Sequence, residues 1–310
     1  MVFSECMKCS FCKNEAVLFR SYEGHNYCKK HFIKNFEKRF KKTISINKLI
    51  EKKDKVAVAY SGGKDSSNIL FLLNKIFKPN PNVEVFAITF DEGIKGYRDK
   101  AIKKSENFCK KLGVKQYVFS FKKEFGFTID QLSKKLESGF CGSCGILKRY
   151  LLNKKVRELK ATKIATGHNL DDECQSILMN ILRGDLLRLV RVGPMPMIGI
   201  HSKFIPRIKP LVSTPENESE LFATINNIPF YPKKCPYSVD NPLRGKTENF
   251  LNNLEKSSPG IKYSLYESAC KIAPFIKRKF KAGKIGSCKK CGEPSSQEVC
   301  KVCELIEKLS

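Results

Sequence analysis

Short apolar runs alternate with segments of helical periodicity through most of the chain. Residues 55–60 are nearly all apolar and predict a buried strand, and residues 67–77 carry closely spaced apolar side chains that predict a buried helix. The same alternation predicts strands at 83–90, 115–121 and 163–166, and helices at 97–112, 129–137, 145–159 and 171–182. Strands that alternate with helices predict an α/β fold, with a parallel sheet and helices on both of its faces.

The two ends of the chain depart from this alternation. Residues 36–53 predict a basic helix, because Phe36, Phe40, Ile44 and Leu49 recur at near-helical spacing. After residue 193 prolines become frequent, and the remaining predicted helices are 216–226 and 246–254. We therefore divide the chain into an N-terminal module at 1–35, a central domain at 36–260, and a C-terminal helix and module at 261–310.

The charge of the chain indicates a polyanionic partner. Lys and Arg number 58 against 31 Asp and Glu, a formal net charge of +27, and neutralising phosphates releases counterions. The alternative is a lysine-biased genome and a solvated surface. The chain has no run of about 18 apolar residues that would span a membrane, and its first residues lack the apolar core of a signal peptide. We expect a cytoplasmic protein with no membrane partner.

Most of the 14 cysteines lie in close pairs, a pattern that favours metal sites over disulfides in a cytoplasmic protein. Near the N-terminus, three cysteines and one histidine predict a zinc site, with Cys6 as an alternative ligand. Its ligands are Cys9, Cys12, Cys28 and His31. Near the C-terminus, two more pairs predict a zinc ribbon that needs the metal to fold. Its ligands are Cys288, Cys291, Cys300 and Cys303. Free buried thiols are the alternative at the N-terminal site.

The loop at 61–66 directly follows the first strand of the central domain and precedes a helix. Gly62 and Gly63 allow backbone N–H groups to face an anion, and the hydroxyls of Ser61 and Ser66 add donors. The N-terminus of the next helix contributes positive potential. The loop lacks the ending of a Walker A motif, so it predicts a phosphate site of another kind. A simple turn is the alternative.

Three motifs together resemble a known family. Residues 61–66 read Ser-Gly-Gly-Lys-Asp-Ser, residues 167–172 read Gly-His-Asn-Leu-Asp-Asp, and residues 141–145 read Cys-Gly-Ser-Cys-Gly. The first resembles the PP-loop of ATP pyrophosphatases, which are adenine nucleotide alpha hydrolase-like proteins that cut ATP between its α and β phosphates. With both zinc modules included, the resemblance covers nearly the whole chain. It points to the tRNA 2-thiouridine synthetases of the TtuA/NcsA type, in the wider TtcA/TtuA family.

The resemblance implies a binding site for ATP and Mg²⁺. The implied ATP-binding residues are Ala59, Ser61, Gly62, Gly63, Lys64, Asp65, Ser66, Ile88, Lys148, Gly167, His168 and Asp172. Asp65 and Asp172 would hold magnesium or direct the attack, and Lys148 would balance the charge of the phosphates. There is also a simpler interpretation, because either Asp171 or Asp172 can cap the helix that follows.

The resemblance also implies a [4Fe-4S] cluster on Cys141, Cys144 and Cys235, with one iron open to hydrosulfide. Two alternatives remain. Cys141 and Cys144 could form a transient disulfide while Cys235 carries a persulfide, or all three could be structural. The implied catalytic residues are Asp65, Lys148, Asp172, Cys141 and Cys235.

The implied reaction is 2-thiolation of tRNA in two steps. The uracil 2-oxo group attacks the α-phosphate of ATP and releases pyrophosphate, and sulfur then displaces AMP to give 2-thiouridine. The implied sulfur donor is a ubiquitin-like carrier protein or free sulfide, and family analogy alone suggests a homodimer. The 14 Cys and 19 Asn are thermolabile types, which favours the wobble uridine 34 over the T-loop uridine 54. The alternatives are a tRNA 2-thiocytidine synthetase and a non-catalytic, zinc-dependent RNA-binding protein.

Overall fold

A five-stranded parallel sheet lies at the centre of the computed structural model. The structure describes residues 7–135, 140–196, 201–233, 235–237, 242–279 and 285–309. Its strands are β1 (Leu18–Arg20), β2 (His25–Tyr27), β3 (Lys55–Ala59), β4 (Glu84–Asp91), β5 (Gln116–Ser120), β6 (Lys163–Ala165), β7 (Arg207–Ile208), β8 (Gly286–Ser287) and β9 (Pro294–Ser295). The central sheet has the order β5-β4-β3-β6-β7, and each of its pairings is parallel. The predicted fold class is therefore confirmed.

Helices cover both faces of this sheet. They are α1 (Lys29–Ile46), α2 (Lys64–Phe77), α3 (Arg98–Leu112), α4 (Phe121–Phe125), α5 (Ile129–Lys135), α6 (Phe140–Glu158), α7 (Leu170–Leu182), α8 (Leu186–Leu189), α9 (Glu216–Ile225), α10 (Pro242–Ser257), α11 (Ile261–Lys279) and α12 (Lys301–Leu309). Within the residues that the structure describes, no helix is long and apolar enough to cross a membrane.

The central strand is buried on both faces because it has a separate apolar core on each side. Val56 and Val58 pack into one core with residues of α1, α2 and α9, whereas Ala57 between them packs into a second core with Leu147 of α6. Alternate side chains of a strand point to opposite faces. This explains the nearly continuous apolar sequence of β3, which is typical of a parallel strand covered on both sides.

The strand order places a crevice at one edge of the sheet. From β3 the chain proceeds to β4 and β5 on one side, and it later returns to β6 and β7 on the other. The carboxyl ends of β3 and β6 therefore lie side by side where the strand order reverses. Ligands of open α/β sheets bind at such a point.

Buried ion pairs and apolar packing join the terminal modules to the central fold. Arg20 at the end of β1 donates from Nε and Nη2 to the Glu218 carboxylate of α9, at 3.0 and 2.7 Å. At the other end, Cys288 and Val302 pack into the same core as Leu147. The α11 helix packs on α7 of the central domain, although the predicted division places α11 in the C-terminal part at 261–310.

Two helices differ from their predicted positions. The α1 helix begins at Lys29 and ends at Ile46, and Leu49 is buried beyond its end, so the predicted boundary at residue 35 falls inside α1. The α6 helix begins at Phe140 rather than near residue 145. Position 141 and Cys144 therefore lie in the first turns of a helix and not on a preceding loop. Gly142 and Gly145 weakened the sequence signal, because glycine is a poor helix former.

Candidate active site

A cleft of about 370 Å³ opens at the carboxyl ends of β3 and β6. Its lining residues are Ala59, Ser61, Gly63, Asp65, Ser66, Gly167, His168, Asp172 and Arg244. All of them except Arg244 are among the ATP-binding residues that the family resemblance implied. The other four implied residues, Gly62, Lys64, Ile88 and Lys148, are not in this lining.

The loop after β3 is shaped by its glycines and held by its serines. Gly62 has φ +84°, a conformation that side chains other than glycine rarely adopt. Ser66 Oγ donates to the carbonyl oxygen of Gly63 at 3.0 Å and lies 3.1 Å from Ser61 Oγ. Gly63 is the N-cap of α2, so the first N–H groups of that helix lie at the cleft. An anion is stabilised at such a helix N-terminus.

The loop after β6 approaches the first loop closely at Gly167. A Cβ at this position would lie 3.2 Å from the backbone nitrogen of Ser66 and 3.3 Å from Cβ of Asp65. Both distances are shorter than most real Cβ contacts, so an added methyl group would displace the first loop by a few tenths of an ångström.

The carboxylates of Asp65 and Asp172 both line the cleft. Burial, with a further contribution from Asp172, raises the pKa of Asp65 above its ordinary value, although Lys64 opposes this shift. Burial likewise raises the pKa of Asp172, against the effect of Arg244. A bound divalent cation would neutralise both groups, and carboxylate oxygens are the ligands that Mg²⁺ prefers. The donor set therefore fits Mg²⁺.

Asp172 has two roles in the structure. Its Oδ2 accepts a hydrogen bond from the backbone N–H of Asn169, whose side chain accepts one from the N–H of Asp172, so the two residues form a capping box at the start of α7. Its Oδ1 lies 2.7 Å from Nη2 of Arg244. The capping interpretation is thus correct, and the second oxygen also faces the cleft.

His168 is neutral at neutral pH. Desolvation and the nearby Lys209 lower its pKa to about 4. Its Nδ1 lies 3.0 Å from the hydroxyl of Thr166. The ring therefore offers the cleft a neutral hydrogen-bonding group and no positive charge.

Lys148 belongs to a chain of charged groups that runs from the nucleotide loop to α6. Arg98 donates from Nη1 to the carbonyl oxygen of Ser61 at 3.0 Å, and its Nε lies 2.5 Å from Glu92. The other oxygen of Glu92 lies 2.5 Å from Nζ of Lys148. Burial opposes its charged form, yet Glu92 and the adjacent Cys144 raise the pKa of Lys148. Lys148 therefore lies beside Cys144 and not in the cleft lining.

Ile88 lies within β4, where its backbone carbonyl accepts a hydrogen bond from the N–H of Tyr60 at 2.8 Å. Its side chain is buried in the second core. Lys64 turns to one side of the cleft and bonds to Glu216 at 2.7 Å.

The segment that carries Cys235 is attached to the nucleotide loop. The N–H of Tyr231 donates to the carbonyl oxygen of Gly62 at 2.8 Å, and its ring packs edge-to-face on Tyr97 at 5.5 Å. Cys235 and Cys144 are both half-buried against the second core. Burial raises the pKa of Tyr97, and Cys235 and Lys148 both lie near enough to this ring to affect that pKa. The side chain of the third residue, Cys141, lies outside the described residues.

Comparison with known proteins identifies this arrangement. A family model for the PP-loop domain matches residues 29–235. A solved structure of the U34-tRNA thiolase NcsA from Methanococcus maripaludis, with its [4Fe-4S] cluster, superposes with a TM-score of 0.83 at 34% identity. The match covers 98% of this chain and 97% of that one. The chain belongs to the PP-loop family, in its TtuA/NcsA branch.

Two named relatives span nearly the whole of this PP-loop protein. The tRNA 2-thiolation protein NcsA of Haloferax volcanii is 32% identical and covers 98% of this chain and 99% of its own. The tRNA-5-methyluridine(54) 2-sulfurtransferase of Pyrococcus horikoshii is 34% identical and covers 96% of this chain and 93% of its own. The names of the solved thiolase and of the Pyrococcus relative thus specify two different uridines.

The N-terminal metal-ligand set of this PP-loop protein is brought together in space. The ligand atoms of Cys9, Cys12, Cys28 and His31 lie within 4.8 Å of one another. The sulfurs of Cys12 and Cys28 are 3.6 Å apart, and thiolates on a tetrahedral zinc with Zn–S of about 2.3 Å lie roughly 3.8 Å apart. The alternative ligand Cys6 lies outside the described residues.

The C-terminal set has the same geometry. The four sulfurs lie within 4.8 Å of one another, with Cys291 and Cys300 3.7 Å apart and Cys288 and Cys303 3.9 Å apart. The backbone N–H of Cys300 donates to the sulfur of Cys288 at 3.2 Å. Such spacing fits one tetrahedral metal ion at each end of the PP-loop protein.

Sequence reasoning missed Arg244 as a residue of the cleft. Arg244 lies in the first turn of α10, 72 residues after the aspartate that it contacts. No motif marks it, and the only local signal is a cation beside Pro242 at a helix start. Its position in the cleft depends on how α10 packs against α7.

Proposed function

We propose that this protein is an ATP-dependent tRNA sulfurtransferase that converts a uridine to 2-thiouridine. The observation that carries the proposal is the direct attachment of the sulfur-site residues to the nucleotide loop. Arg98 and Glu92 connect Ser61 to Lys148, and the backbone of Tyr231 connects Gly62 to the Cys235 segment. Activation of an oxygen and its replacement by sulfur would then occur in adjacent places.

In the first step, the uracil 2-oxo group attacks the α-phosphate, the bond to the β-phosphate breaks, and pyrophosphate leaves. The N-terminal N–H groups of α2 bind the phosphate oxygens. Arg244 leaves its partner Asp172 to donate to the phosphates, because a guanidinium forms paired hydrogen bonds with such oxygens. Asp65 and Asp172 would hold Mg²⁺, which stabilises the charge on the phosphates.

In the second step, sulfur forms a bond to C2 of the activated uracil and the C2–oxygen bond breaks, so that AMP leaves. Cys144 and Cys235 provide thiolate ligands that fit an iron–sulfur cluster, with Cys141 as the third residue of the set. When bound, a [4Fe-4S] cluster with one iron free of protein ligands supplies a site for hydrosulfide. Lys148 stabilises negative charge on the sulfur and on the departing oxygen.

We further propose that each terminal ligand set holds one Zn²⁺. The sulfur–sulfur distances support tetrahedral coordination. When all four protein ligands bind the zinc ion, it has no open coordination position for catalysis. Their contribution is therefore to folding and to the shape of the surface that binds tRNA. Reduced thiolate sets of this kind support a cytoplasmic location. A homodimer and a ubiquitin-like sulfur carrier stay predictions.

We propose the wobble uridine 34 as the modified position. The thermolabile composition of the chain and the match to the U34-tRNA thiolase support it, although the relative named for position 54 is just as similar in sequence. Mass spectrometry of tRNA fragments from a deletion strain tests the choice. Loss of 2-thiouridine from T-loop fragments alone would exclude it.

The activity itself is tested with anaerobically purified protein, Mg-ATP, sulfide and unmodified tRNA. We expect 2-thiouridine and AMP to form in equal amounts, with both products absent when ATP is left out. Formation of 2-thiocytidine would favour the cytidine-modifying alternative. Tight tRNA binding without ATP binding or thiolation would favour a non-catalytic RNA-binding protein.

A further inference from the structure

Four arginines converge beside the cleft, on the side of β7. Arg207 is the first residue of β7 and pairs in register with Ile164 of β6. Arg191 follows α8, and two hydrogen bonds of Lys209 hold its segment against the end of β7. The backbone N–H of Lys209 donates to the carbonyl oxygen of Pro194 at 2.8 Å. Nζ of Lys209 lies 3.5 Å from the carbonyl oxygen of Arg191. Arg191 and Arg207 therefore share one side of the sheet edge.

The other two arginines complete the group from α6 and α8. Nη1 of Arg149 lies 3.2 Å from the position that a Cβ on Gly145 would occupy. Its guanidinium is thus folded back over the helix turn that follows Cys144. Arg188 lies on α8 and pairs with Asp185 at 3.2 Å. We call these four residues the arginine group: Arg149, Arg188, Arg191 and Arg207.

Acidic side chains of the described residues neutralise only one member of the arginine group. Within the described parts of the chain, only Arg188 of the group has a carboxylate within 4.0 Å. Desolvation and the charges of Arg149 and Arg191 lower the pKa of Arg207 to about 10. Desolvation and its arginine neighbours also lower the pKa of Arg149. Like charges held together without a counter-charge are destabilising unless an anion joins them, so the group is suited to bind a polyanion.

The position of the group connects the two halves of the proposed active site. Arg207 helps to lower the pKa of His168 in the cleft, and Arg149 lies near enough to Cys144 at the sulfur site for Cys144 to raise the pKa of Arg149. Exposed apolar side chains follow the same segment, with Leu187 47% and Met195 40% exposed. Charged groups beside exposed apolar ones match a single nucleic-acid strand, which offers phosphates along its backbone and base faces beside them.

We propose that the arginine group binds consecutive backbone phosphates of the unpaired RNA strand that carries the target uridine, with the apolar side chains of the same segment against the flanking bases. This inference rests on the proposed function. An unpaired strand is required because O2 of a stacked and paired base is not accessible to an active site. Arginine suits the role because its planar fork binds phosphate through two hydrogen bonds.

The test compares a double variant, Arg149→Gln with Arg207→Gln, with a matched pair on α1, Lys41→Gln with Lys42→Gln. Both lysines are exposed and lie on α1, which contributes no residue to the cleft lining. The probes are a short RNA hairpin whose loop carries the target uridine, and an RNA duplex of the same length. We expect the arginine variant to bind the hairpin about tenfold more weakly at physiological salt. Its slope of log Kd against log salt should fall by about 1.4, which corresponds to two phosphate contacts on a single strand.

Duplex affinity should change little, and the lysine variant should behave like the wild-type protein. The charge-preserving variant, Arg149→Lys with Arg207→Lys, should recover most of the salt dependence. For each variant, a melting temperature and an ATP affinity equal to those of the wild-type protein show that the fold is intact. A wild-type slope in the arginine variant would overturn the inference, as would equal losses in the lysine variant or equal losses for the duplex.

Failure of the proposed function gives a different result. In that case the wild-type protein itself binds no ATP or forms no 2-thiouridine. If the arginine variant keeps its hairpin affinity but loses only the thiolation that depends on a protein sulfur donor, an acidic protein surface occupies the group. That result also overturns the RNA assignment.

Discussion

Ser219 donates a hydrogen bond of 2.6 Å from Oγ to Oδ1 of Asp65, across 154 residues of sequence. The same serine accepts a hydrogen bond from Nδ2 of Asn68 on α2 at 2.9 Å. The neighbouring Glu218 accepts hydrogen bonds from Nε and Nη2 of Arg20. One turn of α9 thus connects the nucleotide loop to the N-terminal module. The carboxylate of Asp65 is held in place by a residue that no loop motif includes.

Replacing Ser219 with alanine should weaken ATP binding. The lost bond goes to a carboxylate, and such bonds contribute about 1.5–3 kcal/mol, so we expect the Kd for Mg-ATP to rise at least about tenfold. Isothermal titration calorimetry measures it. The matched control is Thr224→Ala on the same helix, where the hydroxyl only donates to the carbonyl oxygen of Glu220. Equal affinities in the two variants would contradict this account of Asp65.

Replacing Gly167 with alanine should also impair ATP binding. The new methyl group would meet the backbone of Ser66 at 3.2 Å, and backbone on a helix N-terminus cannot move aside without displacing the loop. We expect a loss of affinity of about tenfold or more, with overall stability reduced by roughly 1–3 kcal/mol. Gly245→Ala is the control, since nothing lies within 4 Å of its added Cβ. Calorimetry and thermal melting follow both variants, and unchanged binding in Gly167→Ala would show that the loops do not meet this closely.

Replacing Lys148 with glutamine should separate nucleotide binding from thiolation. Lys148 lies beside Cys144 and pairs with Glu92 outside the cleft lining, so the Kd for ATP should stay within about twofold while 2-thiouridine formation falls by a factor of about 100 or more. Nucleoside mass spectrometry and calorimetry give the two values. Lys155→Gln, on the same helix and paired with Glu124, should keep both. A parallel loss of ATP affinity in Lys148→Gln would instead assign Lys148 to the phosphates.

Removing one ligand of the C-terminal set should destabilise the protein beyond the ribbon itself. Cys288 and Val302 pack into the core that contains α6, so we expect Cys291→Ser to lower the free energy of unfolding by about 3 kcal/mol or more. Metal analysis should show one zinc fewer per chain. Cys270→Ser removes a half-buried thiol outside both ligand sets and should retain all zinc. Full zinc content in Cys291→Ser would show that the four sulfurs do not share an ion.

Individual elements show how far local sequence patterns extend. The strands of the central sheet up to β6 were predicted nearly to the residue, because β3 to β6 have clear apolar runs and turn residues at their ends. The β7 strand was not predicted, since its two residues Arg207 and Ile208 are too few to show periodicity. Its pairing with β6 depends on contacts more than 40 residues away along the chain.

The candidate site divides in the same way. Eight of the residues in the cleft lining lie in the two loops that follow strands or at their edges, and parallel strands bring such loops to one edge of a sheet. The family resemblance alone assigned Lys148 to the phosphates. In the structure its Nζ lies 2.5 Å from the buried Glu92, a contact from a distant strand end that no local pattern around α6 predicts.

The order of residues along the chain was sufficient for the α/β class, the nucleotide loop and the two metal-ligand sets, because each depends on periodicity or on spacing within a few tens of residues. Packing in three dimensions alone established the partners of those loops. Segments far apart in sequence provide the hydrogen bond from Ser219 to Asp65 and that from Arg244 to Asp172. The members of the arginine group are likewise far apart in sequence. Their meeting depends on how helices and strands pack together, and no local pattern records that packing.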